Sequence, residues 1–183
     1  LELGGFDEAL AIGWGDDGEF HLRARLQGRP VLHVPAATCL HLERAHGTRR
    51  AYAQLHNRWR VMAVAWQDRT LGALLPLLLG FECALFASAL AGGFAPAWWR
   101  AMRDVWAARH ELRAQRRALQ AIRVVSDAAV MEGGMPALPR VVRHSRALRV
   151  VVSIATSIAD AFWRLAGGTA STVEPAKERA ATR

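Results

Sequence analysis

LGALLPLLLGFECALFASALAGG, residues 71–93, is the most apolar stretch of the chain and the one around which its architecture must be arranged. A run of this length reaches the roughly 20 residues that a helix needs to cross a hydrocarbon core. It also holds Pro76, several glycines and, near its middle, Glu82. A carboxylate at that depth needs a partner or a cavity. The stretch therefore reads as a spanning helix, a re-entrant or monotopic insertion, or an unusually apolar helix of a soluble protein, with membrane contact favoured on hydropathy.

On its N-terminal side, residues 48–68 show helical periodicity. Tyr52, Leu55, Trp59, Met62 and Trp66 alternate at spacings of three and four, which reads as a core-packing stripe. On its C-terminal side, Pro96 suits the first turn of a long basic amphipathic helix reaching about Asp127. Trp98, Val105, Leu112 and Leu119 recur every seven residues, with Met102 and Ile122 beside them. Arg100, Arg103, Arg109, Arg113, Arg116, Arg117 and Arg123 fill much of the rest. Tryptophan at one end and arginine along a polar side suit a helix lying on an anionic membrane surface; a solvated basic face on a packed helix is the competing reading.

Beyond Gly133-Gly134, Pro136 and Pro139, residues 146–166 read as a further helix with Val151, Ile154, Ile158, Phe162 and Leu165 on one side. From Gly167 the small and charged residues predict a disordered tail. The expected fold class is mostly α, with long helices following residues 1–48. The expected divisions are 1–69, 70–95, 96–128, 129–166 and 167–183.

Composition narrows the function classes. The 183 residues carry 24 Lys+Arg against 16 Asp+Glu, a net charge of +8, and Lys177 is the only lysine. So basic a chain seeks a polyanion: nucleic acid, anionic lipid or a phosphorylated substrate. No helix-turn-helix, zinc-finger or RNP pattern occurs, so nucleic acid is not expected as a partner. Two isolated cysteines, Cys39 and Cys83, exclude a disulfide scaffold and fit a reducing compartment. His33, His41, His46 and His56 match no zinc template.

Residues 1–48 mix glycine, acids, prolines and histidines. They read as a turn at Gly4-Gly5, a short helix, a loop through Gly13 and Gly15, and a helix from near Asp16 with Glu19 and Arg23 in the favourable i,i+4 order. Gly28 suits the stop, and residues 30–34 and 37–42 read as short extended pieces separated by Pro35. Taken alone, Asp16 and Asp17 read as helix capping and dipole complementation.

The ordered series GGFDEAL, GDDGEFHLRARLQGRPVLHVPAATCLH and HNRWR resembles the C-terminal part of a family 2 glycosyltransferase with the GT-A fold, over residues 3–60. The resemblance implies that residues 1–48 are the C-terminal edge of an α/β domain, and an inverting transfer from a nucleotide sugar to a cell-envelope glycan or lipid-linked acceptor at the cytoplasmic face of the cell membrane. It implies that Asp17 is the catalytic base and that Gly4, Gly5, Phe6, Asp16 and Glu19 lie on the acceptor side. Asp16 replaces the family's usual Glu, and Glu19 stands where Asp is common. His41 would lie near a divalent cation, Mg or Mn, at the diphosphate, and Asn57 and Arg58 would match a pair that contacts phosphate. The family's nucleotide-binding half is not recognisable in residues 1–183, so these residues alone are expected to be inactive. The rival reading is a non-catalytic anchoring or scaffold protein whose acidic motif has lost its role.

Overall fold

A computed structural model describes residues 3–10, 14–40 and 47–131, with six helical positions between 153 and 164. The element order is α1 (Asp16–Leu26), α2 (Gly47–Ala65), α3 (Asp68–Ala91), α4 (Ala95–Ala107), α5 (Arg109–Ala121) and α6 (Asp127–Met131). Mostly α is the architecture, and no strand occurs among the described residues. The expected extended pieces at 30–34 and 37–42 are irregular over the part described, to residue 40. Leu32 and Leu40 there are 79% and 82% exposed. A strand needs a neighbour for its backbone groups, and none pairs with this segment among the described residues. The short helix expected after Gly5 is a turn at 7–10, closed by the Leu10 amide on the Asp7 carbonyl and by the Asp7 carboxylate on the Ala9 amide. Of the residues expected on one side of a helix at 146–166, all five lie outside the described residues, as does the tail from Gly167.

α1 begins and ends on glycine. Gly15 is its N-cap at φ 79°, and Gly28 follows its C-cap at φ 74°. The Arg29 amide reaches the Ala24 carbonyl and the Gly28 amide the Arg25 carbonyl, the pairing of a Schellman stop. A side chain at Gly28 would meet Val124, its Cβ only 2.9 Å from a methyl group.

α2 and the α4–α5 rod pack side by side and run in the same direction. Tyr52 contacts Asp104, Arg60 contacts Glu111, and the Val64 and Ala65 carbonyls contact Gln120. α3 returns the chain between them. The single basic helix expected over 96–127 is divided at Ala108, and chain 122–126 then leads to α6. Ala108 serves both helices, its amide on the Asp104 carbonyl and its own carbonyl accepting the Leu112 amide. Leu26 of α1, Ala65 of α2 and Leu119 of α5 form the core, with Leu22, Val61 and Val64 against them.

A helix leaves its last four carbonyls without intrahelical partners. At the end of α2 these are met by the basic rod. Arg116 donates to the Ala63 carbonyl at 2.8 Å and to that of Trp66; Gln120 serves Val64 and Ala65; Arg123 reaches Ala65 at 2.9 Å. Arg123 is ion-paired with Asp127, and the second oxygen of Asp127 accepts the Gln67 amide at 2.8 Å. Asp127 is 0% exposed. Arg116 and Arg123, read from sequence as part of a basic surface, are thus structural.

α3 is one helix through Pro76, 24 residues long, and is the one helix among the described residues long and apolar enough to cross a membrane. Only 11% of its most apolar window is buried, so it is not packed as a core helix. Glu82 has the partners its position demanded. Arg58 is ion-paired with it, Trp59 donates at 2.9 Å and Trp98 at 3.3 Å.

Candidate functional site

The loop at residues 3–6 and the first turns of α1 are joined by one side chain. Arg23 grips both oxygens of Glu19, at 2.8 and 2.9 Å, and donates to the carbonyls of Leu3 and of Gly5, the latter at 2.7 Å. Gly4 and Gly5 hold φ values of 72° and 80°, a region closed to most side chains, and so turn those carbonyls toward the guanidinium. Phe6 lies against Phe20 with ring centres 5.2 Å apart.

The acidic turn sits at the start of α1. Gly15, not an aspartate, is the N-cap, so Asp16 and Asp17 occupy the first helical positions and complement the helix dipole without capping it. The Asp17 carboxylate accepts the Gly18 amide at 2.7 Å and is otherwise turned to solvent. The turn is held from behind by α2. Asn57, buried, donates from Nδ2 to the Trp14 carbonyl at 2.7 Å. Its Oδ1 lies 2.8 Å from His56 Nδ1, which must then carry the proton. Arg50 lies over the Trp14 ring at 4.5 Å.

Two cavities open beside this assembly. One of about 420 Å³ is lined by Gly4, Phe6, Glu19, Arg23 and Arg60 over Leu119. The other, about 510 Å³, is lined by Gly15, Gly18, Glu19, Asn57, Arg58 and Glu82. Glu19 forms part of both walls. Asp16, Asp17 and Gly5 line neither, Asp17 standing on the outer side of the turn. His41 lies outside the described residues. Of the residues the sequence singled out, the structure therefore brings Gly4, Phe6 and Glu19 together at one cavity and Asn57 and Arg58 with Glu19 at the next.

Both members of the Asn57-Arg58 pair have internal partners. Arg58 is bound to Glu82 and stacks over the Phe81 ring at 5.0 Å, and its burial lowers its pKa from the usual guanidinium value. A phosphate would have to displace Glu82 to be held there. No three ligating side chains converge among the described residues. Glu19 has both oxygens on Arg23, and one Asp17 oxygen holds the Gly18 amide, so these acids do not form a cation site as placed.

The sequence reading missed Arg60. It is 4% exposed, pairs with Glu111 at 2.7 Å and approaches Asp7 at 4.0 Å, tying the loop to α5 through the cavity wall. Its Nε has no partner among the described residues. An arginine inside the helical stripe of α2 was the only available signal. Comparison with protein-family models, with curated proteins and with solved structures finds no match.

Proposed function

We propose that this chain is the acceptor and base side of an inverting family 2 glycosyltransferase, acting at the cytoplasmic face of the cell membrane on a cell-envelope glycan or a lipid-linked acceptor. The observation that carries this reading is the Arg23 clasp. The two stretches that the family resemblance assigns to acceptor binding, Gly4–Phe6 and the acidic turn, are 10 or more residues apart in sequence and are joined by one guanidinium. Asp17 lies outside the clasp and is exposed, its carboxylate holding only the Gly18 amide among the described residues.

In this proposal the acceptor hydroxyl rests against the Gly4–Phe6 loop and gives its proton to Asp17 as its oxygen attacks the anomeric carbon. The new C–O bond forms as the bond to the diphosphate breaks on the opposite face, and nucleoside diphosphate leaves. A carboxylate in hydrogen-bond reach contributes by position as much as by basicity. A divalent cation would compensate charge on the leaving diphosphate. The described residues do not by themselves hold it, and no role is assigned to them in binding it.

Membrane association belongs to the same proposal. At a 1.5 Å rise per residue, α3 is about 36 Å long, against about 30 Å of hydrocarbon. Glu82, however, ties its middle to Arg58 of α2 and Trp98 of α4, polar helices that cannot follow it across. The account is therefore a helix inserted along one side. Leu75, Leu79, Phe81 and Leu90 of α3 are exposed large apolar side chains that such an insertion would bury.

The test uses membranes carrying the full natural chain, wild type beside Asp17→Asn, offered a panel of nucleotide sugars. Release of nucleoside diphosphate from one donor, lost in the variant, is expected. Release that survives the substitution removes Asp17 as base. The anchoring reading draws on a specific observation, the position of Asp17 outside both cavities, and no release from any donor by folded protein would favour it.

A further inference from the structure

A third cavity, about 750 Å³, lies between α2 and the α4–α5 rod. Its outer wall is a single stripe, Trp99, Met102, Trp106, Arg109 and Arg113, at spacings of three, four, three and four. The stripe crosses the division at Ala108, where the Arg109 guanidinium lies over the Trp106 ring. Trp99 and Trp106 are 69% and 71% exposed, and about 10 Å apart along the axis. Two solvent-facing indoles on one side of one helix are unexplained by packing within the chain.

The stripe is graded. Its N-terminal half is aromatic and apolar, and its C-terminal half is cationic. Arg109 stacks on Trp106 at 5.5 Å and donates to the Trp106 carbonyl, which fixes it at the junction. Arg113, one turn on, makes no hydrogen bond or ion pair among the described residues. No carboxylate lines the groove among the described residues. Arg103 also lines the groove and is ion-paired with Asp104, which holds Tyr52 as well, while Glu111 holds Arg60.

We propose that this groove binds an acidic phospholipid of the membrane, its phosphate held by Arg109 and Arg113 and its acyl chains against Trp99, Met102 and Trp106. Guanidinium groups bind phosphate with several hydrogen bonds at once, and indoles sit at the headgroup level of a bilayer. A soluble phosphate would satisfy the arginines but leave the indoles in water. A second copy of the same face would set like charges together. The acidic lipid fits both ends. Arg116, which also lines the groove, is committed to the α2 carbonyls and to Asp68, and so adds little charge to it.

The inference rests on the membrane association proposed above but not on glycosyl transfer. Its test reads tryptophan fluorescence, not activity. The full chain is reconstituted into phosphatidylcholine vesicles doped with either brominated phosphatidylglycerol or brominated phosphatidylcholine. Bromine quenches an indole only on contact. Greater quenching by the acidic lipid is expected, lost in Trp99→Phe/Trp106→Phe and reduced to parity in Arg109→Gln/Arg113→Gln. Equal quenching of the wild type by both lipids overturns the proposal while leaving the membrane reading standing. An acidic-lipid excess that persists in the double arginine variant also overturns it. No quenching by either lipid overturns both.

Discussion

Asp17 and Asp127 each begin a helix, and the protein treats them in opposite ways. Asp127 is sealed, with Arg123 on one oxygen and the Gln67 amide on the other. Asp17 faces solvent with a single backbone contact from its own neighbour. A buried carboxylate so fully occupied has nothing left to offer a substrate, and its removal leaves a cation stranded in the core. An exposed carboxylate at a helix start contributes little to folding and stays open to an incoming group. Burial therefore separates the structural acid from the one we propose as the base. The same division runs through the arginines of the rod: Arg116 and Arg123 close the end of α2, while Arg109 and Arg113 face outward.

The comparison breaks most visibly at the sealed end. Asp127→Ala is expected to cost about 3–5 kcal/mol, since it strands Arg123 and the Gln67 amide together. Thermal unfolding followed by circular dichroism in detergent checks this. The paired change Arg123→Met/Asp127→Leu should recover most of the loss. A double variant no better than the single one would mean that the pair does more than neutralise itself.

Next in size is the clasp. Arg23→Ala removes charge-assisted hydrogen bonds to Glu19 and to two carbonyls, with an expected cost of about 1.5–3 kcal/mol for such bonds. The cost should be local. Limited proteolysis should cut the loop at residues 3–10 faster while leaving α2 protected, and uniform cleavage of both regions would contradict a local role. Gly28→Ala follows, at about 1–2 kcal/mol, because it forces a side chain into a left-handed conformation against Val124. A neutral result there would mean that α1 ends differently.

The smallest effect is electrostatic. The hydrogen bond from Arg103 foremost, then that from Tyr52, holds the Asp104 carboxyl below the usual carboxylate range. Its folded pKa is therefore the lower one, so its contribution is present above about pH 4 and fades as pH falls through the folded value. Asp104→Asn should flatten the acid side of the stability profile and leave it unchanged near neutrality. An unchanged acid limb would remove the Tyr52–Asp104–Arg103 cluster from the account.

Much of the helical frame was legible in the sequence because it is written in local terms. The α2 stripe, Pro96 at the head of α4, and Gly28 at the end of α1 each depend on neighbours within a few residues. Glu82 was legible as a demand for a partner, though not as to which. What could not be read was long-range. The Arg23 clasp spans 18 residues to Gly5, the Arg60–Glu111 pair 51, and the Gln67–Asp127 contact 60. No periodicity distinguishes an arginine that will cap a distant helix from one that will face outward, which is why Arg116 and Arg123 were assigned to the surface. The extended reading of 30–40 went astray for a related reason. Alternating apolar residues specify a strand only when a second strand lies beside them. Within the candidate site, the glycines and acids were legible by motif order, whereas Arg60 and Trp14 acquire their places only in three dimensions.

The central claim is that Asp17 does chemistry and Asp127 does not. Asp17→Asn and the wild type, in membranes carrying the full natural chain and compared at matched melting temperature, would be assayed for release of nucleoside diphosphate with the responsive donor. The account predicts a stability changed by no more than about 0.5 kcal/mol, as for an exposed substitution, with release lost. Undiminished release by the equally stable variant would contradict it.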